Sequence, residues 1–198
     1  MVKKILAIFF MIIFCVEGAL AASENSSMID SRDGKKYRTV KIGEQVWMAE
    51  NLDYDIKGSF CYDDKLAYCK KYGHLYTWKA AMMACPAGWH LPSKDEFETL
   101  IVSVGGEKVA GKILKSKEKW NKNGNGEDSF GFSALPAGCR YYITKSYDFM
   151  GDFAFFWSST GYEDGLFADY MFLSYEGNFA DLDNNGAYDG FSVRCIKD

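Results

Sequence analysis

The placement of cysteines constrains this chain more than any other feature, and the first 21 residues decide what those cysteines mean. Lys3 and Lys4 precede an unbroken apolar run from Ile5 to Val16, and Ala19-Leu20-Ala21 follows. A short positive segment, an apolar core and small residues at the cleavage site are the parts of a secretory signal, here cut after Ala21. The run of twelve apolar residues falls short of the roughly 20 that a spanning helix needs. Phe14 before Cys15 is too bulky for a lipid-attachment box. The expectation is an exported protein, secreted, periplasmic or at the cell surface, with no membrane span after cleavage.

In such an oxidising compartment the remaining cysteines, Cys61, Cys69, Cys85, Cys139 and Cys195, read as disulfide material with one left over. Cys61 and Cys69 bracket the short polar loop Tyr62-Asp63-Asp64-Lys65 and suggest a local staple. Cys85 and Cys195 suggest a long-range bridge, which would constrain the unfolded chain by about 4–5 kcal/mol. Cys139 is then the free thiol. Other pairings stay open at this level.

Cleavage leaves 177 of the 198 residues and moves the net charge from −4 to −5. That length suits one domain with a sizeable core. A mildly acidic chain with no basic block argues against nucleic acid as a partner. Residues 22–33 are polar and read as a flexible lead-in, with a single domain over 34–198.

Along that domain Val40, Ile42, Val46 and Met48 alternate around Gly43-Glu44, the pattern of a hairpin. Trp78, Ala81, Met82 and Cys85 recur at helical spacing, predicting a helix from Leu75 to Cys85 that Pro86 stops. Ser93-Lys94-Asp95-Glu96 is a capping box, followed by the stripe Phe97, Leu100, Ile101 and Val104 and closed by Gly105-Gly106. Val109 to Leu114 adds a short third helix. After Trp120 the runs Phe132–Tyr142, Ala154–Ser159, Phe167–Tyr175 and Phe191–Lys197 read as strands. Helices early and strands late imply an α+β class.

Three sets of residues carry a family resemblance. The first is Trp47-Met48-Ala49-Glu50-Asn51-Leu52, Tyr72-Gly73 and Leu75-Tyr76-Thr77-Trp78. The second is Cys85-Pro86-Ala87-Gly88-Trp89-His90-Leu91-Pro92. The third is Gly131 to Gly138, Phe156-Trp157-Ser158-Ser159-Thr160 and Gly190-Phe191-Ser192-Val193-Arg194-Cys195. Together they resemble the Fibrobacter succinogenes major paralogous domain, over about residues 34–198. The resemblance implies a bacterial secreted or surface protein. It also implies a C-type-lectin-like fold akin to formylglycine-generating enzymes, with two main helices packed on a small twisted antiparallel sheet and disulfide-stapled. In that fold a bridge from first helix to last strand is usual, which agrees with Cys85–Cys195. It supplies no catalytic residue, and Cys139 stands where relatives tend to carry an aromatic ring.

Asp181-Leu182-Asp183-Asn184-Asn185-Gly186 matches the first half of a calcium loop, with Asp189 as a further ligand, although Ser192 stands where an EF-hand needs glutamate. Its bland counterpart is a polar turn. The sugar motif of calcium-dependent lectins, a proline flanked by carboxylates or amides, is absent. Rings near polar loops, Trp120, Tyr141, Tyr142, Tyr147 and Phe149, are the candidates for a ligand face, against core packing as the alternative. His74 and His90 stand alone without helical metal spacing. Arg140 beside Cys139 would lower the thiol's pKa. The reading that follows is a non-enzymatic binding module for polysaccharide or a cell-envelope protein. Its rivals are a cysteine-dependent or metal-assisted enzyme of the formylglycine-generating type and a structural envelope protein.

Overall fold

Apolar–polar alternation builds the first sheet. The computed structural model describes residues 26–163 and 165–198. The signal segment 1–21 and the first part of the lead-in lie outside the described residues. Ser26–Ile29 (β1), Lys36–Ile42 (β2) and Gln45–Met48 (β3) run antiparallel, with Val40 opposite Trp47 and Ile42 opposite Gln45. Gly43 supplies the positive φ of 60° that the two-residue turn requires. Residues 26–29, expected within a flexible lead-in, are thus a paired strand.

Ser59–Phe60 (β4) pairs with Leu75–Tyr76 (β5), and between them lies the short helix Leu66–Tyr72 (α1). The helix expected from Leu75 to Cys85 is a single turn, Trp78–Ala81 (α2), capped by Thr77. Its first residues are taken by sheet pairing instead. Tyr76 exchanges backbone hydrogen bonds of 2.7 and 3.0 Å with Phe191.

Trp89–His90 (β6) leads to Lys94–Ser103 (α3), whose capping box is complete: Ser93 Oγ accepts from Glu96 N, and Glu96 Oε2 accepts from Ser93 N. Glu107–Leu114 (α4) follows. Cys139–Arg140 (β7) and Tyr147–Asp148 (β8) form a small ribbon. Phe153–Gly161 (β9), Phe167–Ser174 (β10) and Ala180–Gly186 (β11) make a three-stranded antiparallel sheet in the order β11-β10-β9. Ile196–Lys197 (β12) then slots between β3 and β6, completing the five-stranded order β1-β2-β3-β12-β6.

The fold is therefore mostly β, with several antiparallel sheets, four short helices and only 20% helix among the described residues. This overturns the expected α+β, C-type-lectin-like arrangement of two main helices on one small sheet. Of the long strands expected at 132–142 and 191–197, only Cys139–Arg140 and Ile196–Lys197 join ladders; elsewhere these segments make single bridges, such as Phe156 with Ser192.

Among the described residues three buried clusters fill the interior. One gathers Trp47, Phe97, Leu100, Phe132, Phe156 and Met171; a second gathers Met48, Tyr76, Trp157, Phe191 and Cys195; a small third gathers Tyr72, Leu75 and Ala137. The structure joins Cys61 to Cys69 and Cys85 to Cys195, the latter pair 110 positions apart in the chain.

Candidate functional site

Period-two alternation divides the β9-β10-β11 sheet into two unlike faces. Ala154, Phe156, Met171, Leu173 and Ala180 turn into the core. Phe153, Phe155, Tyr170 and Phe172 turn the other way and remain half-buried. Register then carries one row across the sheet, from Phe155 through Phe172 to Asp181, and places Asp183 opposite Tyr170.

Neighbouring loops extend the row of rings. Phe149, before β9, lies 5.3 Å from Phe153 and 6.4 Å from Phe155 between ring centroids. Tyr141 meets Phe149 edge-on at 6.5 Å. At the other end Phe179 meets Phe172 at 6.0 Å. Phe153 and Phe155 stack at 5.5 Å, and Tyr170 lies 6.0 Å from Phe172. Both ends of the row are exposed, Tyr141 at 36%, Phe149 at 41% and Phe179 at 37%. Tyr142 and Tyr188 form a second exposed pair 5.1 Å apart.

Polar groups edge this surface. Asp181 and Asp183 are exposed on β11. Asp189 accepts from Tyr142 N at 2.8 Å and from Asn185 Nδ2 at 3.0 Å, which ties the turn after β7 to the end of β11. Burial, followed by the Asp183 carboxylate, pushes the Tyr170 hydroxyl up to about 12, so it keeps its proton and remains a donor at neutral pH.

The residues singled out from the sequence divide accordingly. Tyr141, Tyr142 and Phe149 are surface rings. Tyr147 is half-buried, its hydroxyl donating to Asp64 Oδ1 at 2.5 Å and its ring tilted against Tyr62. Trp120 is only 5% exposed and its Nε1 donates to Ser116 Oγ and Ala134 O, so this ring belongs to the core and cannot present a face to a ligand. Exposed Phe179 and the half-buried Phe153, Phe155, Tyr170 and Phe172 went unnoticed as members of this row, of which Phe155 and Tyr170 also pack against the buried Phe191 at 4.9 and 5.0 Å. Part of the signal was present, since Phe155 and the alternating Tyr170 and Phe172 fall in two expected strands, but Phe153 and Phe179 lie outside them.

The segment matched to half a calcium loop is strand β11. Asp181, Asp183 and Asn185 sit at alternate ladder positions, where the chain is extended and does not curl its oxygens around an ion. Asp189 spends both carboxylate oxygens on protein donors. Among the described residues, one group of three His, Cys, Asp or Glu side chains is close enough to share a metal: Cys61, Cys69 and His74. Its two sulfurs are bonded to each other, and the remaining His74 Nδ1 lies 2.8 Å from Asp53 Oδ1.

Cys139 is free but buried. The expected influence of Arg140 does not reach it, because that guanidinium lies over the Phe60 ring at 3.9 Å. Burial first, then the Asp148 and Asp189 carboxylates, push the thiol up to about 12. At neutral pH it is a protonated thiol, without the thiolate that nucleophilic chemistry needs.

A family model described as the Fibrobacter succinogenes major domain matches residues 40–197. No curated protein and no solved structure matches the chain.

Proposed function

This chain belongs to the Fibrobacter succinogenes major domain family, and we propose that it is an exported, non-enzymatic binding module whose aromatic sheet face docks neutral polysaccharide. The observation that carries this reading is the row of rings from Tyr141 through Phe149, Phe155 and Phe172 to Phe179, edged by the exposed carboxylates of Asp181 and Asp183. An aromatic row exposed at both ends, half-buried between them and rimmed by polar groups is a surface that favours a partner over water. Flat rings offer apolar faces to the C–H faces of sugars, and carboxylates accept hydrogen bonds from their hydroxyls. The same carboxylates repel an acidic polymer, which favours an uncharged one. Export is supported by the signal-like N-terminus and by two disulfides. Among the described residues no helix is long and apolar enough to cross a membrane.

The test is retention on a panel of neutral insoluble and soluble polysaccharides, with and without a calcium chelator. One polymer class should retain the protein, chelator should change nothing, and Tyr141→Ala combined with Phe149→Ala should weaken retention at least about tenfold. If no neutral polymer retains the wild-type protein, the reading is wrong. Loss of retention with chelator would return calcium to the site.

A further inference from the structure

Charge is unevenly spread along this acidic chain. Residues 147–198 hold ten carboxylate side chains against Arg194 and Lys197, whereas residues 22–146 hold nineteen cationic against sixteen carboxylate side chains. Part of the positive excess gathers around two adjoining depressions of about 230 and 370 Å³, which share Glu50, Lys71 and Leu135 in their walls. None of the aromatic-face residues lines either one.

Three separate elements supply the cations. Alternation along β2 exposes Lys36 and Arg38. The last turn of α1 supplies Lys70 and Lys71, and the loop after α4 supplies Lys117 and Lys119. Lysines at a helix C-terminus answer the local carbonyls, but that does not explain the positions of Lys36 and Lys117.

The carboxylates in the groove walls are already engaged. Asp53 lies 2.9 Å from Lys35 Nζ and 2.8 Å from His74 Nδ1. Asp128 accepts from Ser133 N and Ser133 Oγ, both at 2.6 Å. Glu50 accepts from Arg38 N at 2.7 Å, and Glu118 lies 3.3 Å from Lys119. Lys36, Lys70, Lys71 and Lys117 are exposed and have no carboxylate within 4.0 Å among the described residues. Like charges brought together without carboxylate partners create a local positive potential that attracts anions.

We propose that this groove is a second binding site, for an anionic glycan bearing carboxylate or phosphate groups, held through Lys36, Lys70, Lys71 and Lys117. A repeating polyanion fits an elongated groove with cations from a strand, a helix end and a loop better than one small anion does. Nucleic acid fits it poorly, because the rings in its wall, Tyr37 and Tyr72, are buried at 4% and 6% exposure and leave no face for bases to stack on. The proposal stands apart from the aromatic face. Failure of every neutral polysaccharide would leave it intact.

The experiment measures binding of the protein, purified after export, to polygalacturonate, to poly(glycerol phosphate) and to uncharged dextran at about 0.15 M salt. At least one polyanion should bind with an affinity that falls as salt rises, whereas any retention of dextran through the aromatic face should be insensitive to salt and unchanged by the groove variants. Whichever polyanion binds more tightly identifies the anionic group. The triple variant Lys36→Glu, Lys70→Glu, Lys117→Glu should lose at least about tenfold in affinity. A control of equal charge, Lys57→Glu, Lys79→Glu, Lys108→Glu, alters exposed lysines outside the groove and should keep wild-type affinity. Thermal unfolding of both variants checks that they are folded. The proposal is overturned if neither polyanion binds, if both triple variants lose affinity equally, or if duplex DNA binds as tightly as the better glycan.

Discussion

Arg194 donates its Nε–H to Asn51 Oδ1 at 2.8 Å although 143 positions separate the two residues in the chain. The guanidinium is wholly buried and has no carboxylate partner among its hydrogen bonds. Its other donors reach the carbonyls of Met48, Phe132 and Ser133, and it lies over the Phe132 ring at 4.6 Å. One side chain thus ties the end of β3 and the loop after it to the segment before β7 and to the approach to β12. Burial lowers its pKa to about 9, which still leaves it charged at neutral pH.

Replacing Arg194 by Met should therefore cost at least about 3 kcal/mol, because three buried carbonyls and the Asn51 amide oxygen lose their donor together. Urea unfolding of the two proteins measures it. A loss below about 1 kcal/mol would mean that other donors take over these acceptors.

The two disulfides should differ in worth. Closing a loop removes entropy from the unfolded chain in proportion to the logarithm of its length. Cys85 and Cys195 are 110 residues apart, Cys61 and Cys69 only 8. The Cys85→Ser, Cys195→Ser pair should cost about 5 kcal/mol and the Cys61→Ser, Cys69→Ser pair about 2.5 kcal/mol. Denaturant midpoints of the two double variants decide it. Equal losses would show that native-state packing, not loop length, sets the values.

Local signals were legible in the sequence and long-range ones were not. The β2–β3 hairpin and the α3 capping box depend on neighbours within a few residues, so Gly43 and the Ser93–Glu96 pair announce them. The segment from Leu75 carries helical spacing, yet Tyr76 is claimed by Phe191, a partner more than a hundred residues away that no local pattern reveals. Asp181 to Gly186 has the composition of a turn. It becomes a strand because β10 offers it a full ladder, a tertiary override of weak β-propensity. Trp120 follows the same logic. It adjoins a polar loop in sequence, and only packing against Ser116 and Ala134 shows that it is core. The ring row was half legible: Phe155 falls in the expected strand Ala154–Ser159 and Tyr170 alternates with Phe172 in Phe167–Tyr175, whereas Phe153 and Phe179 lie outside the expected strands.

Cys139 should resist thiol reagents in the folded protein. Its thiol is buried and pushed up to about 12, so at pH 8 almost none is thiolate. An aromatic disulfide reagent should label it only after guanidinium unfolds the chain. Rapid labelling of the native protein at pH 7 would contradict both the burial and the direction of the shift, and would reopen cysteine chemistry.

His90 should make stability depend on pH through two carboxylates at once. Its Nδ1 lies 2.7 Å from Asp198 Oδ1 and its Nε2 lies 2.9 Å from Glu96 Oε1, joining the end of the chain to the capping box of α3. Burial opposes the charged ring, but hydrogen bonds to Asp198 and Glu96 outweigh it and raise the pKa above 6.5. For Glu96, burial is likewise outweighed, by hydrogen bonds from Ser93 and His90, and its pKa falls below 4.5. A raised histidine pKa stabilises fully below 6.5 and loses that contribution as pH climbs through the folded value. A lowered carboxylate pKa stabilises above 4.5 and loses its contribution as pH falls through the folded value. The clasp is therefore strongest between about pH 4.5 and 6.5. His90 is 42% exposed and Asp198 59%, so solvent screening keeps the histidine's share below about 1 kcal/mol. Melting temperature measured from pH 4 to 9 should show the wild-type advantage over His90→Gln shrinking as pH rises above 6.5. An advantage that is flat across that range would mean the ring is held as a neutral hydrogen-bonding group and carries no charge to lose.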